Sequence, residues 1–386
     1  MGAELLRAAR RLDNERQMNC RQRSVSMFKS NAMQFTHTEN GKRALKALGI
    51  FGAFILFVVA AAFLLNNVVA TPVSPREAQI RGWVGTLQDQ ALTKERQSAQ
   101  QKLEAAGEEA VPALLTALHS NNATLRGNAA EMLGYIASPR ATEALTQNLQ
   151  NDPVIAVRLN AAHALGAIQS ASALPALAAS SVLDASQQVR TASAEALQNT
   201  NVRLAQSANK SIADVQAISV APGQTNVVYL ATKRDLLVSR NGGAQWDTLT
   251  QALPSLVSTL DVNPTNSDIL YAGLHSQGMY LSTDGGKTWQ ALTRNFSNQA
   301  IGSSTVTAIT VDPANPLRVV MAHGIRFGDS NATFMPLGIL SSQDGGQSWK
   351  YVMDLSENQI VTRLQVRDGK VYALTSDKVL IAPLAD

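Results

Sequence analysis

The chain has 386 residues, 45% hydrophobic and 16% charged, with a net charge of +4. That composition excludes a wholly disordered chain and leaves room for about two or three domains. A single cysteine, Cys20, excludes a disulfide framework, a cysteine zinc site and, beyond residue 20, a cysteine nucleophile.

Residues 1–46 carry ten Lys or Arg against four acids, so the remaining 340 residues bear two net negative charges. The basic character therefore belongs to the tail. The main body is not expected to bind nucleic acid. Leu5, Leu6, Ala9 and Leu12 could form a short amphipathic helix on a membrane surface, or the tail could be disordered and serve only to set topology. Residues 47–65 are apolar or glycine without interruption. Nineteen residues at about 1.5 Å each span roughly a bilayer core, so residues 47–70 are expected to form a transmembrane helix. A cleaved signal peptide ending at Val68-Val69-Ala70, with translation starting at Met33, is the rival reading. A buried core helix is the third. By the positive-inside rule the tail at 1–46 is cytoplasmic, and the domains after the anchor are periplasmic or extracellular.

Residues 71–85, with Pro72 and Pro75, read as a linker. From 86 to 204 a helical pattern repeats. Leu125-Arg126 precedes Ala129-Ala130 and Leu133-Gly134. Val157-Arg158 precedes Ala161-Ala162 and Leu165-Gly166. Val189-Arg190 precedes Ser193-Ala194 and Leu197, with Gln198 where the glycine stood. The period is 32. Offsets of 3, 4, 7 and 8 from each arginine share one helix face. A partial copy sits at Arg96, Ala99 and Leu103. The segment resembles the short HEAT-like repeats of phycobilisome lyases and bacterial scaffolds, which implies an α-solenoid. The repeated arginines read as structural, bonding a neighbouring helix end or carboxylate.

From 205 to 386 the period changes to two. Strands ending at Pro222, Pro264 and Pro313 are each followed by a second strand. A third strand then runs into a turn that occurs three times: Ser239-Arg-Asn241-Gly-Gly243-Ala-Gln-Trp246, Ser282-Thr-Asp284-Gly-Gly286-Lys-Thr-Trp289 and Ser342-Gln-Asp344-Gly-Gly346-Gln-Ser-Trp349. The Asp or Asn can bond turn N–H groups, the glycines supply positive φ, and the Trp opens the next strand. The motif S-x-D-x-G-x-x-W resembles the Asp-box, or bacterial neuraminidase repeat, of sialidases, sortilin-type receptors and photosystem II assembly factors. That resemblance implies a β-propeller, here of about four blades. Trp289 to Trp349 is 60 residues against 43 from Trp246 to Trp289, which places an insertion in the third unit around 327–336. The fourth unit lacks the turn motif and a fourth strand. Residues 202–213 are expected to add a strand to it and close a four-bladed ring; an open arc completed by a partner is the alternative.

The fold class is thus a transmembrane helix, a HEAT-like α-solenoid and an all-β propeller. Catalytic chemistry has little support. From 205 onward the only glutamate is Glu357, and no arginine context matches a sialidase. No nucleotide-binding, zinc-protease or serine-hydrolase motif is present. His275 and His323 are expected just after the second strands of units two and three, a position facing one propeller end, and are weak site candidates. No catalytic residue, cofactor or metal is expected. The expected function is a non-enzymatic, membrane-anchored scaffold or assembly factor binding other proteins. Its resemblance to photosystem assembly propellers points to the biogenesis or support of a membrane complex. The alternative is a glycan-binding or sialidase-like surface protein, which clustered inward Arg and Asp side chains would favour.

Overall fold

A computed structural model describes residues 74–249, 253–292, 304–327 and 333–384. The expected tail at 1–46 and membrane segment at 47–70 lie outside the described residues. Among the described residues no helix is long and apolar enough to cross a membrane.

The helical part starts earlier than expected. Helix α1, Pro75–Thr86, occupies most of the span read as a linker. Pro75 misled the reading, because a proline in the first helical turn has no intrahelical N–H bond to lose. Ile80 and Val84, one turn apart, are buried in the solenoid core. Three pairs follow: α2 Lys94–Ala106 and α3 Val111–Ala117, α4 Ala123–Ile136 and α5 Thr142–Asn151, then α6 Ile155–Ile168 and α7 Leu174–Leu183. The last helix, α8, runs 21 residues from Gln187 to Ser207.

Helices α4, α6 and α8 pack side by side. The repeated glycine explains how closely they pack. A Cβ on Gly134 would sit 2.9 Å from Ala164 Cα, and one on Gly166 would sit 3.0 Å from Ala196 Cα. Gln198, at the third position of the series, is exposed, because no further repeat helix covers it.

The repeated arginines form a ladder that staples each repeat to the next. Arg126 is bidentate to Asp152, at 2.6 and 2.9 Å, and its Nη1 donates to Ser120 O. Arg158 is bidentate to Asp184, at 2.8 and 3.0 Å, and its Nη1 donates to Asp152 O. These side chains are only 13% and 5–6% exposed. Burial alone would push the Asp152 carboxyl up, but its bonds from Arg126 and Val154 N–H hold it below the usual range. At the two ends the ladder changes partner: Arg96 bonds Asn128 Oδ1, and Arg190 bonds Asp184 O and Gln187.

Fifteen strands follow among the described residues, in four antiparallel sheets. The first holds β1 Val215–Val220, β2 Val228–Thr232, β3 Leu236–Ser239 and β4 Asp247–Leu249. The second holds β5 Val257–Val262, β6 Leu270–Leu274, β7 Met279–Ser282 and β8 Gln290–Ala291. The third holds β9 Thr305–Val311, β10 Val319–Phe327, β11 Thr333–Ser342 and β12 Lys350–Asp354. The fourth holds only β13 Arg363–Arg367, β14 Lys370–Leu374 and β15 Val379–Pro383. Within each sheet, strands are ordered as in the chain, as in propeller blades. The third-unit insertion lengthens the β10–β11 hairpin. Its register shifts at Gly324, where a Cβ would lie 2.3 Å from Met335 O.

Strands β1, β5, β9 and β13 pack against one another in that order. The expected closing strand at 202–213 is absent. Val202 to Ser207 finish helix α8, because Thr200 and Leu204 continue its buried face at helical spacing, and residues 212–214 form a single turn. Among the described residues the fourth sheet is three-stranded and the sheets do not close on themselves. Helix α7 packs instead against β1, β13 and β14, between the first and last blades.

Candidate interaction surfaces

The three glycine–tryptophan turns share one internal network. Ser239, Ser282 and Ser342 Oγ each donate to the Oδ1 two residues on, at 2.8–2.9 Å. Each Oγ also accepts from the second glycine, Gly243, Gly286 or Gly346, at 2.7–2.9 Å. Oδ1 of Asn241, Asp284 and Asp344 takes the next two turn N–H groups. Oδ2 of Asp284 and Asp344 takes a further hydroxyl, Thr288 at 2.6 Å and Ser348 at 2.5 Å. The hydroxyl and N–H bonds from Thr288 hold Asp284 at about 2. Burial opposes the same effect at Asp344, where Ser348 still brings it to about 2. Asn241 accepts the turn N–H bonds with Oδ1, as the two aspartates do. The hydrogen bonds of Asp284 and Asp344 run into their own turns, so these residues shape the blades.

The second glycine of each turn packs on the element before its blade. A Cβ there would lie 2.8 Å from Leu249 Cδ1 at Gly286, and 2.6 Å from Leu292 Cδ1 at Gly346. At Gly243 the neighbour is Leu204 of α8, at 2.3 Å. The tryptophans follow the same order. Trp289 and Trp349 are half-buried against inter-blade cores, and each Nε1 donates to its own turn, to Gly286 O and Gly346 O. Trp246 packs on the helical core and donates to Ser207 Oγ at 3.0 Å. Helix α8 thus takes the place of a blade before the first.

His275 follows β6 as expected, but His323 lies within β10 rather than after it, because the lengthened hairpin carries the strand on to Phe327. His275 is half-buried beyond β6, with its backbone bonded to Leu256 O and Ser255 Oγ, and burial and then Arg326 push its pKa down. His323 is 5% exposed inside β10, and burial brings it down to about 4, with Nδ1 unbonded. Thr305 lies between them: it pairs with Gly324 and accepts from Ser276 N. Among the described residues no three His, Cys, Asp or Glu side chains are grouped to hold a metal ion.

Three features escaped the sequence reading. Asp261 of β5 ties three inner strands: its Oδ1 accepts from Ser219 Oγ and Val262 N, and its Oδ2 from Val311 N at 2.9 Å. Enclosure pushes it up to about 6 against these bonds. Arg363 of β13 donates to Ser181 Oγ of α7 at 2.7 Å, and burial lowers its pKa. The third is a groove of about 190 Å³ between α4 and α6, walled by Glu131, Tyr135, Asn160 and His163 over Gly134 and Ala164. A charged residue in the apolar strand Leu260-Asp261-Val262 was the available signal for the first. The others depend on contacts remote in sequence.

Comparison with known proteins follows the same division. Residues 111–198 match the family model for HEAT repeats, and residues 234–379 match that for "Sortilin, neurotensin receptor 3". No curated protein matches the chain. Among solved structures, the GH74 enzyme of Niastella koreensis is 20% identical over 43% of this chain and 26% of its own, with a TM-score of 0.34. The CpcE–CpcF complex of a Nostoc phycocyanin lyase is 26% identical over 35% of this chain and 91% of its own, with a TM-score of 0.29. YCF48 bound to D1 peptide is 16% identical over 45% and 79%, with a TM-score of 0.21. An ancestral GH74 enzyme, at a TM-score of 0.37, is covered over 22% of its length, so the chain spans about a quarter of these GH74 structures. At these TM-scores the likenesses imply no activity. The chain is similar to HEAT-repeat proteins over its helices and to sortilin-type propellers over its strands.

Proposed function

We propose that this protein is a membrane-anchored, non-enzymatic scaffold that binds other proteins through a solenoid fused to an Asp-box propeller, and that it serves the assembly or support of a membrane complex. One observation carries the reading: the two modules share packing. A single core runs from the helices into Val220 and Val228 of the first blade, and α7 meets the last blade as well. Modules joined in this way present one continuous surface, which suits holding a partner in a fixed orientation. The apolar run at 47–65 supports the anchor, and the excess of basic residues before it favours a folded part outside the cytoplasm. The Asp and Arg of the inner strands, Asp261 and Arg363, bond to the fold itself, which weakens the glycan-binding alternative.

The test is purification of the native protein in mild detergent, with mass spectrometry of what travels with it. A reproducible set of membrane-complex subunits is expected. Recovery of the protein alone, with retention on immobilised glycans, would replace this reading by the glycan one. A reporter active only in the cytoplasm, fused after Asp386, should be silent; activity there would reverse the topology.

A further inference from the structure

The geometry points to the groove between α4 and α6 as a receptor for an arginine or lysine side chain projecting from a partner protein. This rests on the scaffold reading and specifies the chemistry of one contact.

The groove exists because the helices touch at small residues. Gly134 and Ala164 form its floor, and the larger side chains of Glu131, Tyr135, Asn160 and His163 rise around it. Tyr135 is 62% exposed, an unusual state for a large aromatic ring on a helix with six buried residues. Its hydroxyl donates to Glu131 Oε1 at 3.2 Å. Asn160 Nδ2 donates to Gly127 O, and its Oδ1 has no protein donor among the described residues. The walls therefore offer a carboxylate, an amide oxygen and an aromatic ring, a set suited to a cation.

The charges nearby agree. Glu131 and then Glu104 impose their negative fields on the Tyr135 hydroxyl and push its pKa up. The arginines of the two groove helices are engaged elsewhere: Arg126 and Arg158 are bound to Asp152 and Asp184, and Lys102 of the neighbouring α2 lies over the Trp83 ring. At about 190 Å³ the groove is below the roughly 300–1,000 Å³ of small-molecule pockets, so it suits one long side chain. Nor is the pattern a general property of the repeat. One period of 32 residues later, the positions of Glu131 and Tyr135 are held by His163 and Ala167.

The experiment uses the full chain in non-ionic detergent and three fluorescein-labelled octapeptides, alternating Gly with Arg, Ser or Glu, read by anisotropy. The Gly–Arg peptide should bind and the other two should not. Glu131→Lys should weaken binding by at least about tenfold, a loss of roughly 1.4 kcal/mol. Tyr135→Ala should weaken it several-fold. Glu143→Lys, the same charge change at an exposed position on α5, should leave it within about twofold. Both groove positions are at the surface, so the thermal midpoint should hold. Equal binding of the Gly–Glu peptide, or equal losses in Glu131→Lys and Glu143→Lys, would overturn the proposal. If Glu131→Lys keeps all native co-purifying proteins and peptide binding too, the groove assignment fails while the scaffold reading stands.

Discussion

Asp261 and His323 make opposite demands on pH, and separating them tests how β5 and β10 are held. His323 is brought from 6.5 down to about 4 by burial. Between those values the unfolded chain binds a proton that the folded chain does not, so stability falls as pH drops through the window. About 2.5 units corresponds to a loss of about 3 kcal/mol by pH 4. Asp261 moves from 3.8 up to about 6, by enclosure against its three hydrogen bonds. Here the folded chain binds the extra proton, so stability rises as pH drops from 6 toward 3.8, by about 3 kcal/mol. The two contributions nearly cancel between pH 4 and 6. Replacing one group unmasks the other. His323→Leu should gain about 2–3 kcal/mol relative to the native protein on going from pH 7 to pH 4.5. Asp261→Asn should lose a similar amount over the same interval, beyond a constant cost for facing an amide at the Val311 N–H. The assay is urea denaturation of the full chain followed by tryptophan fluorescence at several pH values. Parallel stability profiles for native protein and both variants would refute the argument.

The turn glycines separate strain from packing. Gly242→Ala meets nothing within 4 Å and should cost only the positive-φ strain, about 1 kcal/mol. Gly286→Ala adds a clash with Leu249 and should cost more, about 1–3 kcal/mol in all, seen as a lower thermal midpoint than that of Gly242→Ala. Trp289→Ala removes a half-buried ring and should cost about 2–3 kcal/mol, below the range for a fully buried one. Asp152→Ala leaves Arg126 without its carboxylate, and a loss of about 3–5 kcal/mol is expected in chemical denaturation; a loss under about 1 kcal/mol would mean the ladder is solvated.

Local chemistry was legible and remote chemistry was not. The 32-residue period located the helices that carry Arg126, Arg158 and Arg190, because helical spacing and small residues are written within one repeat. The partner acids were not named, since Asp152 and Asp184 lie 26 residues downstream, between helices. The glycine–tryptophan turns are legible as turns, since the bonds of their Ser and Asp side chains each span at most four positions along the chain. Pro75 was misread because proline both breaks helices and begins them. Val202 to Ala213 was misassigned for a different reason. A vacant sheet edge seemed to require a strand, while the local pattern of Thr200, Leu204 and Ala205 continued a helix. A global expectation was allowed to override a local period.

That misassignment has a physical consequence for the helices and sheets together. Had residues 202–213 formed a strand, the propeller would have closed on its own material and the solenoid would have been an attachment. Instead the first blade rests its turn glycine on Leu204 and its tryptophan on Ser207, both from α8. The last blade sends Arg363 to Ser181 of α7. The sheets at both ends of the series therefore need the final helical repeat to cover them. Uncovered sheet faces and edges promote association. A propeller of this length gains a terminus on each side by borrowing helices, much as a solenoid needs capping repeats at its ends. The same contacts tie the solenoid to the blades through Leu204, Ser207 and Ser181.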